Sequence, residues 1–302
     1  MAMMIAIGGR QYEAQRGMVL VVVLWIISLL AVMAGSFAYS MRIETRIATG
    51  AVERAQARAL AEAGVAYAFV WQLDPDSQEW PPDGNPRDWR FGSGRLQIRV
   101  EDAAGRVSLN SNNARLIQHM LVAVGMPEDE AESVAAAIQD WRDQDDEARP
   151  GGAERMAYQA AGRPGPKNGR FESVEELQQV LGVSLQVAQH IADLVTVYSR
   201  ASGINPEVAP ARVLRAISDL DEQELARYVS DRTRAAREGE PLPPFPAGEQ
   251  ASFFSRSRSS AYHILTMVET PSGATIKTES VVSRIRVPSG QAMRLLSWRF
   301  GY

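Results

Sequence analysis

The residues with the clearest potential for chemistry are acidic and lie in the segment DWRDQDDEARPGGAE. The main candidates follow positions 1, 3, 5 and 12 of the calcium-binding loop of an EF-hand. They are Asp143, Asp145, Glu147 and Glu154. The sixth position of that loop needs glycine for a sharp turn and is Ala148 here, so a regular EF-hand is not expected. Two interpretations stay open: a calcium loop of another shape, with Asp140 and Asn168 as secondary candidates, or a solvated acidic loop.

No set of residues for catalysis can be assembled from the sequence. The chain has no cysteine, which excludes disulfides, cysteine-ligated zinc and a thiol nucleophile. Its three histidines, His119, His190 and His263, lie far apart, and none stands in an H-E-x-x-H frame. The motifs G-x-S-x-G, P-loop and G-x-G-x-x-G are also missing. The sequence therefore predicts a protein that is not an enzyme, with no catalytic and no cofactor-binding residues.

An uncharged run, MVLVVVLWIISLLAVMAGSFAYSM, extends from Met18 to Met41. A helix of about 20 apolar residues spans the hydrocarbon core of a bilayer, and this run is long enough. Arg10 and Arg16 precede it, and basic residues on that side favour a cytoplasmic N-terminus. The bulk of the chain is then expected outside the cytoplasm.

Three interpretations of this run compete. A cleaved secretory signal has an apolar core of only about 7–15 residues, shorter than the run here. A plain signal anchor explains the hydropathy alone. In the third interpretation residues 1–17 are a prepilin leader, because Gly17 stands directly between a short charged segment and the apolar helix that begins at Met18.

The sequence after the run favours the third interpretation. No proline occurs from Met18 to Leu73, which predicts one helix of about 50 residues, half of it in lipid and half on a globular head. Beyond Arg42 the helix is predicted to be amphipathic. The residues expected on its apolar face are Ile43, Ile47, Ala51, Ala55, Ala59 and Ala63.

The remaining sequence alternates between strand and helix patterns. Residues 74–94 are predicted as a loop, and residues 95–101 and 106–110 as a strand pair around a turn at 104–105. Strands are also predicted at 261–269 and 275–287, with a last strand near 295–300. Between them, helices are predicted at 114–124, 128–141, 174–181, 185–197 and 209–217, followed by a proline-rich linker at 238–249. Residues 111–250 carry 14 Lys and Arg against 23 Asp and Glu, so this helical part is acidic.

Several segments together resemble the minor pseudopilin K (GspK) family of type II secretion systems. They are RGMVLVVVLW, ARALAEAGVAYA, RVEDAAGRVSLN, the acidic stretch, FESVEELQQVLGVS and GINPEVAPARVLRAI. The resemblance implies an α+β pilin-like fold: a long N-terminal helix packed on an antiparallel sheet, with a large all-α insertion similar to SAM and helix-hairpin-helix domains. The expected organisation is leader 1–17, transmembrane helix 18–41, first part of the core 42–110, helical insertion 111–250 and C-terminal strands 251–302.

The resemblance also carries functional expectations. It implies cleavage by a prepilin peptidase between Gly17 and Met18 with methylation at the new N-terminus, calcium in the acidic stretch, and an inner-membrane protein with its bulk in the periplasm. Its expected partners are the minor pseudopilins I and J at the tip of a pseudopilus that supports protein secretion. Most pilins have Glu at the fifth residue after the cut, whereas this chain has Val22, as K-type members lack that Glu. The alternatives are a minor pilin of a type IV pilus or competence system and a generic single-pass periplasmic anchor protein.

Binding to nucleic acid is not expected. The segment GINPEVAPARVLRAI resembles a helix-hairpin-helix unit. Such units present glycine-rich backbone and nearby basic residues to phosphate. Here the glycine pair is missing and the surrounding residues 111–250 are acidic, so electrostatics oppose phosphate binding.

Overall fold

The computed structural model describes residues 12–73, 80–271, 273, 275–288 and 290–301. Its first element is helix α1, which runs for 62 residues from Tyr12 to Leu73. This confirms the prediction of one helix through the apolar run and beyond it. Residues 1–11 of the predicted leader lie outside the described residues.

The chain divides into two compact units, residues 1–56 and residues 57–302. In the first unit the side chains described from Met18 onward are almost all exposed. Among the described residues, one helical stretch is long and apolar enough to cross a membrane, namely Met18–Gln72 within α1. Its most apolar window has a mean hydropathy of 2.8. A single N-terminal apolar helix of this kind fits a single-pass membrane anchor.

In the second unit, the C-terminal part of α1 packs against a sheet. The side chains buried there are Ala57, Ala61, Val65, Ala68 and Phe69. The predicted apolar face was wrong, since Ala51, Ala55 and Ala59 are exposed. A series with four-residue steps drifts by about 40° per step around a helix of 3.6 residues per turn, so it leaves any fixed face after a few turns.

The sheet has five antiparallel strands in the order β1-β2-β5-β6-β7. They are β1 (Arg87–Phe91), β2 (Gly94–Asp102), β5 (Ala261–Glu269), β6 (Thr275–Val287) and β7 (Gly290–Phe300). The last three agree with the predicted strands. The predicted loop at 74–94 was wrong in its second half, because β1 forms a hairpin with β2 there. Trp89 of β1 stacks on Tyr67 of α1 with ring centroids 4.3 Å apart, which ties this hairpin to the helix.

The predicted strand at 95–101 is confirmed as β2, but its predicted pairing with 106–110 was wrong. The second segment, β3 (Val107–Ser108), pairs in parallel with β4 (Val195–Thr196) and not with β2. A 3-10 helix at Ala103–Gly105 separates β2 from β3, and the Asp102 carboxylate accepts a hydrogen bond of 2.8 Å from its Ala104 N–H group. This capped turn leads the chain away from the sheet.

The helices of the second unit form a separate apolar core. They are α2 (Ala114–Ala123), α3 (Glu128–Asp140), α4 (Arg155–Ala160), α5 (Leu185–Ile191), α6 (Ala211–Ile217) and α7 (Glu222–Glu238). The predicted helix at 174–181 is a 3-10 helix, Val174–Gln179, which begins with a capping box of Ser173 and Glu176. The helix predicted at 185–197 ends at Ile191, because residues 195–196 form β4. Helices α4 and α7 were not predicted.

A buried ionic network joins the sheet to the helices. Glu101 of β2 accepts hydrogen bonds from Arg106 (2.7 and 2.9 Å) and from Arg212 of α6 (2.8 and 2.9 Å). Glu279 of β6 lies 3.0 Å from Nδ1 of His263 and 3.5 Å from Nη1 of Arg106. Because buried charges are tolerated only when they are paired, this network fixes β2, β6 and α6 to one another.

Candidate functional site

Three carboxylates converge at the loop between α3 and α4. Asp140 is the last residue of α3, Asp143 lies in the turn that follows, and Glu154 is the N-cap residue of α4. Each offers one oxygen to a cluster in which these atoms all lie within 4.8 Å of one another. The cluster is therefore compact enough for one cation to touch all three side chains.

The polar atoms of this cluster are incompletely paired. Asp140 is fully buried and Glu154 is 5% exposed. Both carboxylate oxygens of Glu154 and Oδ1 of Asp143 have no hydrogen-bond partner among the described residues. Glu154 stands at the N-cap of α4 but makes no side-chain capping bond. Since a buried acceptor without a partner costs about 1–3 kcal/mol, the arrangement lacks a positively charged or donating group.

The charges around Glu154 also indicate that the cluster lacks a positive group. Burial, followed by the negative charges of Asp140 and Asp143, raises the pKa of the Glu154 carboxyl group to about 7. The cation nearest the cluster is Arg149, whose Nη1 lies 2.6 Å from Asp140 Oδ1 and also contacts Asp143 Oδ2. These two hydrogen bonds raise the pKa of Arg149. Neither of them reaches Glu154, whose charge stays uncompensated.

A glycine makes room for the cluster. A β-carbon on Gly152 would stand 2.0 Å from Oδ2 of Asp140, which is far inside contact distance. The same oxygen accepts a hydrogen bond of 3.2 Å from the backbone N–H of Arg149. The loop therefore folds tightly over Asp140, and a side chain at position 152 would have to displace the Asp140 carboxylate.

The donor set suits a hard divalent cation. Carboxylate oxygens are the ligands that calcium prefers, and the unpaired oxygens of Glu154 need a positive charge. Of the predicted ligands, the structure brings together Asp143 and Glu154, with Asp140 as the third. Asp145 and Glu147 lie outside the cluster: both are exposed, and Asp145 accepts a hydrogen bond of 3.0 Å from the Glu147 N–H group.

The remaining predicted residues lie elsewhere. The Oδ1 atom of Asn168 is buried without a partner among the described residues, and the backbone φ of this residue is 51°. Asn168 is not one of the three clustered ligands. The predicted cleavage junction Gly17–Met18 lies within α1, where Met18 is 67% exposed. The sequence analysis gave Asp140 only as a secondary candidate and did not identify Arg149. The carboxylates of Asp140 and Asp143, three residues apart at the end of a helix, could have indicated Asp140.

Comparisons with known proteins bear on the chain as a whole. Residues 97–200 match the protein family described as "Type II secretion system (T2SS), protein K". No curated protein sequence matches the chain. Among solved structures, the chain is similar to one in the crystal structure of the GspK-GspI-GspJ complex of the type 2 secretion system from enterotoxigenic Escherichia coli. The identity is 14%, the match covers 82% of this chain and 99% of that chain, and the TM-score is 0.53.

The fold and the family match agree. The matched region includes most of β2, helices α2 to α5 and the acidic loop with its three carboxylates. The structure has a long N-terminal helix, an antiparallel sheet and additional helices, which confirms the predicted α+β pilin-like fold. Residues 97–200 thus resemble protein K of the type II secretion system in sequence, and the fold of the chain is similar to that of a chain in the solved GspK-GspI-GspJ complex.

Proposed function

We propose that the chain is a minor pseudopilin of the type II secretion system. It occupies the tip of the periplasmic pseudopilus and supports its assembly, and thereby protein export across the outer membrane. The observation that carries the proposal is Val22, an apolar residue 52% exposed on α1, five residues into the predicted mature chain. In pilins a carboxylate at this position pairs with the N-terminal amine of a neighbouring subunit. A carboxylate in a bilayer is costly without a partner, so a subunit with no such neighbour is better served by valine.

The helical part of the chain supports the same position. In a close-packed helical fibre each subunit has neighbours above, below and beside it. Helices α2 to α7 add a second apolar core to the sheet, and this added bulk is accommodated most easily at an end of the fibre. One copy per fibre follows from this argument.

The proposed partners are counterparts of the minor pseudopilins I and J. The similar structure is a complex of GspK with GspI and GspJ. Between Arg42 and Leu73, helix α1 exposes apolar side chains that need cover, namely Ile43 (41%), Ile47 (63%), Val52 (56%) and Val70 (67%). Partner helices packed on these residues would bury them and gain roughly 1.5–3 kcal/mol for each fully buried side chain.

Processing and location follow from the same role. The chain is inserted in the inner membrane by the apolar part of α1, with its N-terminus in the cytoplasm and its bulk in the periplasm. A prepilin peptidase removes residues 1–17, and Met18 becomes the methylated N-terminus. Its contribution is structural rather than catalytic.

Calcium is the proposed ligand of the acidic cluster. Asp140, Asp143 and Glu154 would hold it through carboxylate oxygens, and the unpaired oxygens of Glu154 support this assignment. A bound calcium ion supplies positive charge to three clustered negative groups. Asp140 ends α3 and Glu154 begins α4, so the ion would join the two helices across their loop.

The assembly proposal is tested by mixing the region from Arg42 onward with the corresponding regions of two other minor pseudopilins. Size-exclusion chromatography with light scattering should show one discrete complex with one copy of each chain and no self-polymerisation. Many copies per fibre in secreting cells, or no complex across micromolar concentrations, would contradict the tip position. That result would favour a generic minor pilin.

A further inference from the structure

The guanidinium group of Arg149 occupies part of the acidic cluster. Its Nη1 atom lies 2.6 Å from Asp140 Oδ1 and also contacts Asp143 Oδ2. One cationic nitrogen thus uses an oxygen of two of the three candidate ligands. The backbone N–H of the same residue donates to the other oxygen of Asp140 over 3.2 Å.

This position is incompatible with a metal ion on the same oxygens. Calcium binds oxygen at about 2.3–2.6 Å, so two oxygens on one ion are at most about 5 Å apart, a limit that the cluster meets. An ion bound to Asp140 Oδ1 and Asp143 Oδ2, the two oxygens that Nη1 contacts, would lie close to that nitrogen. Two positive charges only a few ångströms apart repel each other strongly near a protein surface. The arginine and the metal therefore compete.

The structure leaves Arg149 free to move away. Its side chain is 44% exposed, so solvent can receive the guanidinium group. The backbone hydrogen bond to Asp140 does not depend on the side chain and can persist when the side chain turns outward. Arg149 also compensates only two carboxylates, since both oxygens of the buried Glu154 stay without a partner. A divalent cation can serve all three.

We propose that Arg149 is an internal counter-ion of the acidic cluster, which leaves when a divalent cation binds and thereby sets the affinity of the site. The inference rests on the proposed calcium site and adds a regulatory residue to it. Charge-assisted hydrogen bonds must be broken before the metal can bind. A variant without these hydrogen bonds should therefore bind calcium more tightly. The expected gain is only roughly tenfold, because in the wild type the displaced arginine forms new hydrogen bonds with water that offset part of the loss.

The test is calcium titration calorimetry on the full chain in detergent micelles, after treatment with a chelator. Arg149→Gln should bind calcium roughly tenfold more tightly than the wild type, and Arg149→Lys should lie between them. The matched control is Arg155→Gln, since Arg155 pairs with Asp146 at 3.4 Å outside the cluster. Its affinity should stay within about twofold of the wild type, as expected for an exposed pair.

A second readout uses the wild type itself. Phenylglyoxal modifies accessible arginines, and peptide mass spectrometry should show faster modification of Arg149 with calcium than without it. Equal or weaker calcium binding by Arg149→Gln, or an unchanged modification rate, overturns the counter-ion role while leaving the calcium site intact. Binding by Arg149→Gln alone would mean that Arg149 blocks the site permanently, which overturns both its displacement and calcium binding by the native chain. No binding by any variant overturns both.

Discussion

The backbone of Gly105 lies so close to that of Val208 that a β-carbon on Gly105 would stand 2.7 Å from the Val208 carbonyl oxygen. Gly105 ends the 3-10 helix after β2, and Val208 precedes α6. A backbone hydrogen bond of 2.8 Å from Asn205 N–H to the Ala104 carbonyl holds the same two segments together. The sheet and the helices of the second unit thus meet backbone to backbone at this point.

The first prediction is that Gly105→Ala destabilises the protein. The added methyl group meets backbone atoms, which cannot rotate away, so the cost should be about 1–3 kcal/mol. Urea unfolding followed by circular dichroism measures it. Gly169→Ala is the control, because its nearest neighbouring atom would be 3.8 Å away, and it should change stability by less than about 0.5 kcal/mol. Equal stability of the two variants would contradict the close contact.

The second prediction concerns pH and the buried Glu101. Burial opposes its charge, but Arg106 and Arg212 outweigh this and lower the pKa of Glu101 to about 2, from an ordinary value of 4.5. The folded state therefore binds fewer protons than the unfolded state between these values. The stabilisation is complete above pH 4.5 and is lost as the pH falls towards 2.

Urea unfolding at several pH values between 4.5 and 2.5 provides the measurement. A single group of this kind can change the free energy of unfolding by at most about 1.4 kcal/mol for each pH unit. Glu101→Gln should start from a lower stability and show a shallower slope in this window. An unchanged slope would mean that Glu101 does not titrate with a lowered pKa.

The third prediction identifies the calcium ligands. Chelator-treated protein should melt at a higher temperature with calcium, since a ligand at 100 times its Kd adds about 2.7 kcal/mol. Asp143→Asn and Glu154→Gln should each remove most of this shift. Asp145→Asn should retain it, because Asp145 lies outside the cluster. If Asp145→Asn loses as much of the shift as Glu154→Gln, the ligands are assigned wrongly.

The fourth prediction is cleavage between Gly17 and Met18. Intact mass spectrometry of protein extracted from membranes should show loss of residues 1–17 and one added methyl group in cells that contain a prepilin peptidase. Cells without the peptidase should retain the full chain. A mature N-terminus near Ser36 or Tyr39 would instead indicate an ordinary signal peptide and would remove the pilin interpretation of the junction.

Local patterns predicted the C-terminal strands well. Residues 261–269 and 275–287 are rich in Ile, Val and Thr around a short turn, and their pairing is between neighbours in sequence. The pairing of β2 could not be predicted in this way. Its second partner is β5, about 160 residues later, and the direction of the chain after Asp102 depends on contacts with residues 204–209.

Other errors have equally specific causes. Helix α7 carries a capping box of Asp221 and Glu224, a readable signal that the sequence interpretation passed over. The calcium ligands are a separate case, because they stay a prediction. The fixed spacing of the calcium loop selected Asp145 and Glu147, which lie exposed outside the cluster of three carboxylates. Asp140 was only a secondary candidate. Its burial depends on Gly152 and Arg149 folding over it, which spacing alone does not reveal.

The sheet is a meander in which strands consecutive along the sheet are joined by short hairpins, except at β2 and β5. There, Asp102 and Tyr262 are register partners, so the chain leaves and re-enters at adjacent strand ends. Topologically, residues 103–260 replace one hairpin loop. Loop-closure entropy rises only slowly with length, so this segment could be enlarged, reduced or exchanged during evolution without reordering the strands. Any replacement would still have to supply cations for Glu101, because both of its arginine partners lie within residues 103–260, whereas Glu279 also pairs with Arg299 of the sheet at 2.7 Å. The buried Glu101 therefore limits which segments the sheet can accept.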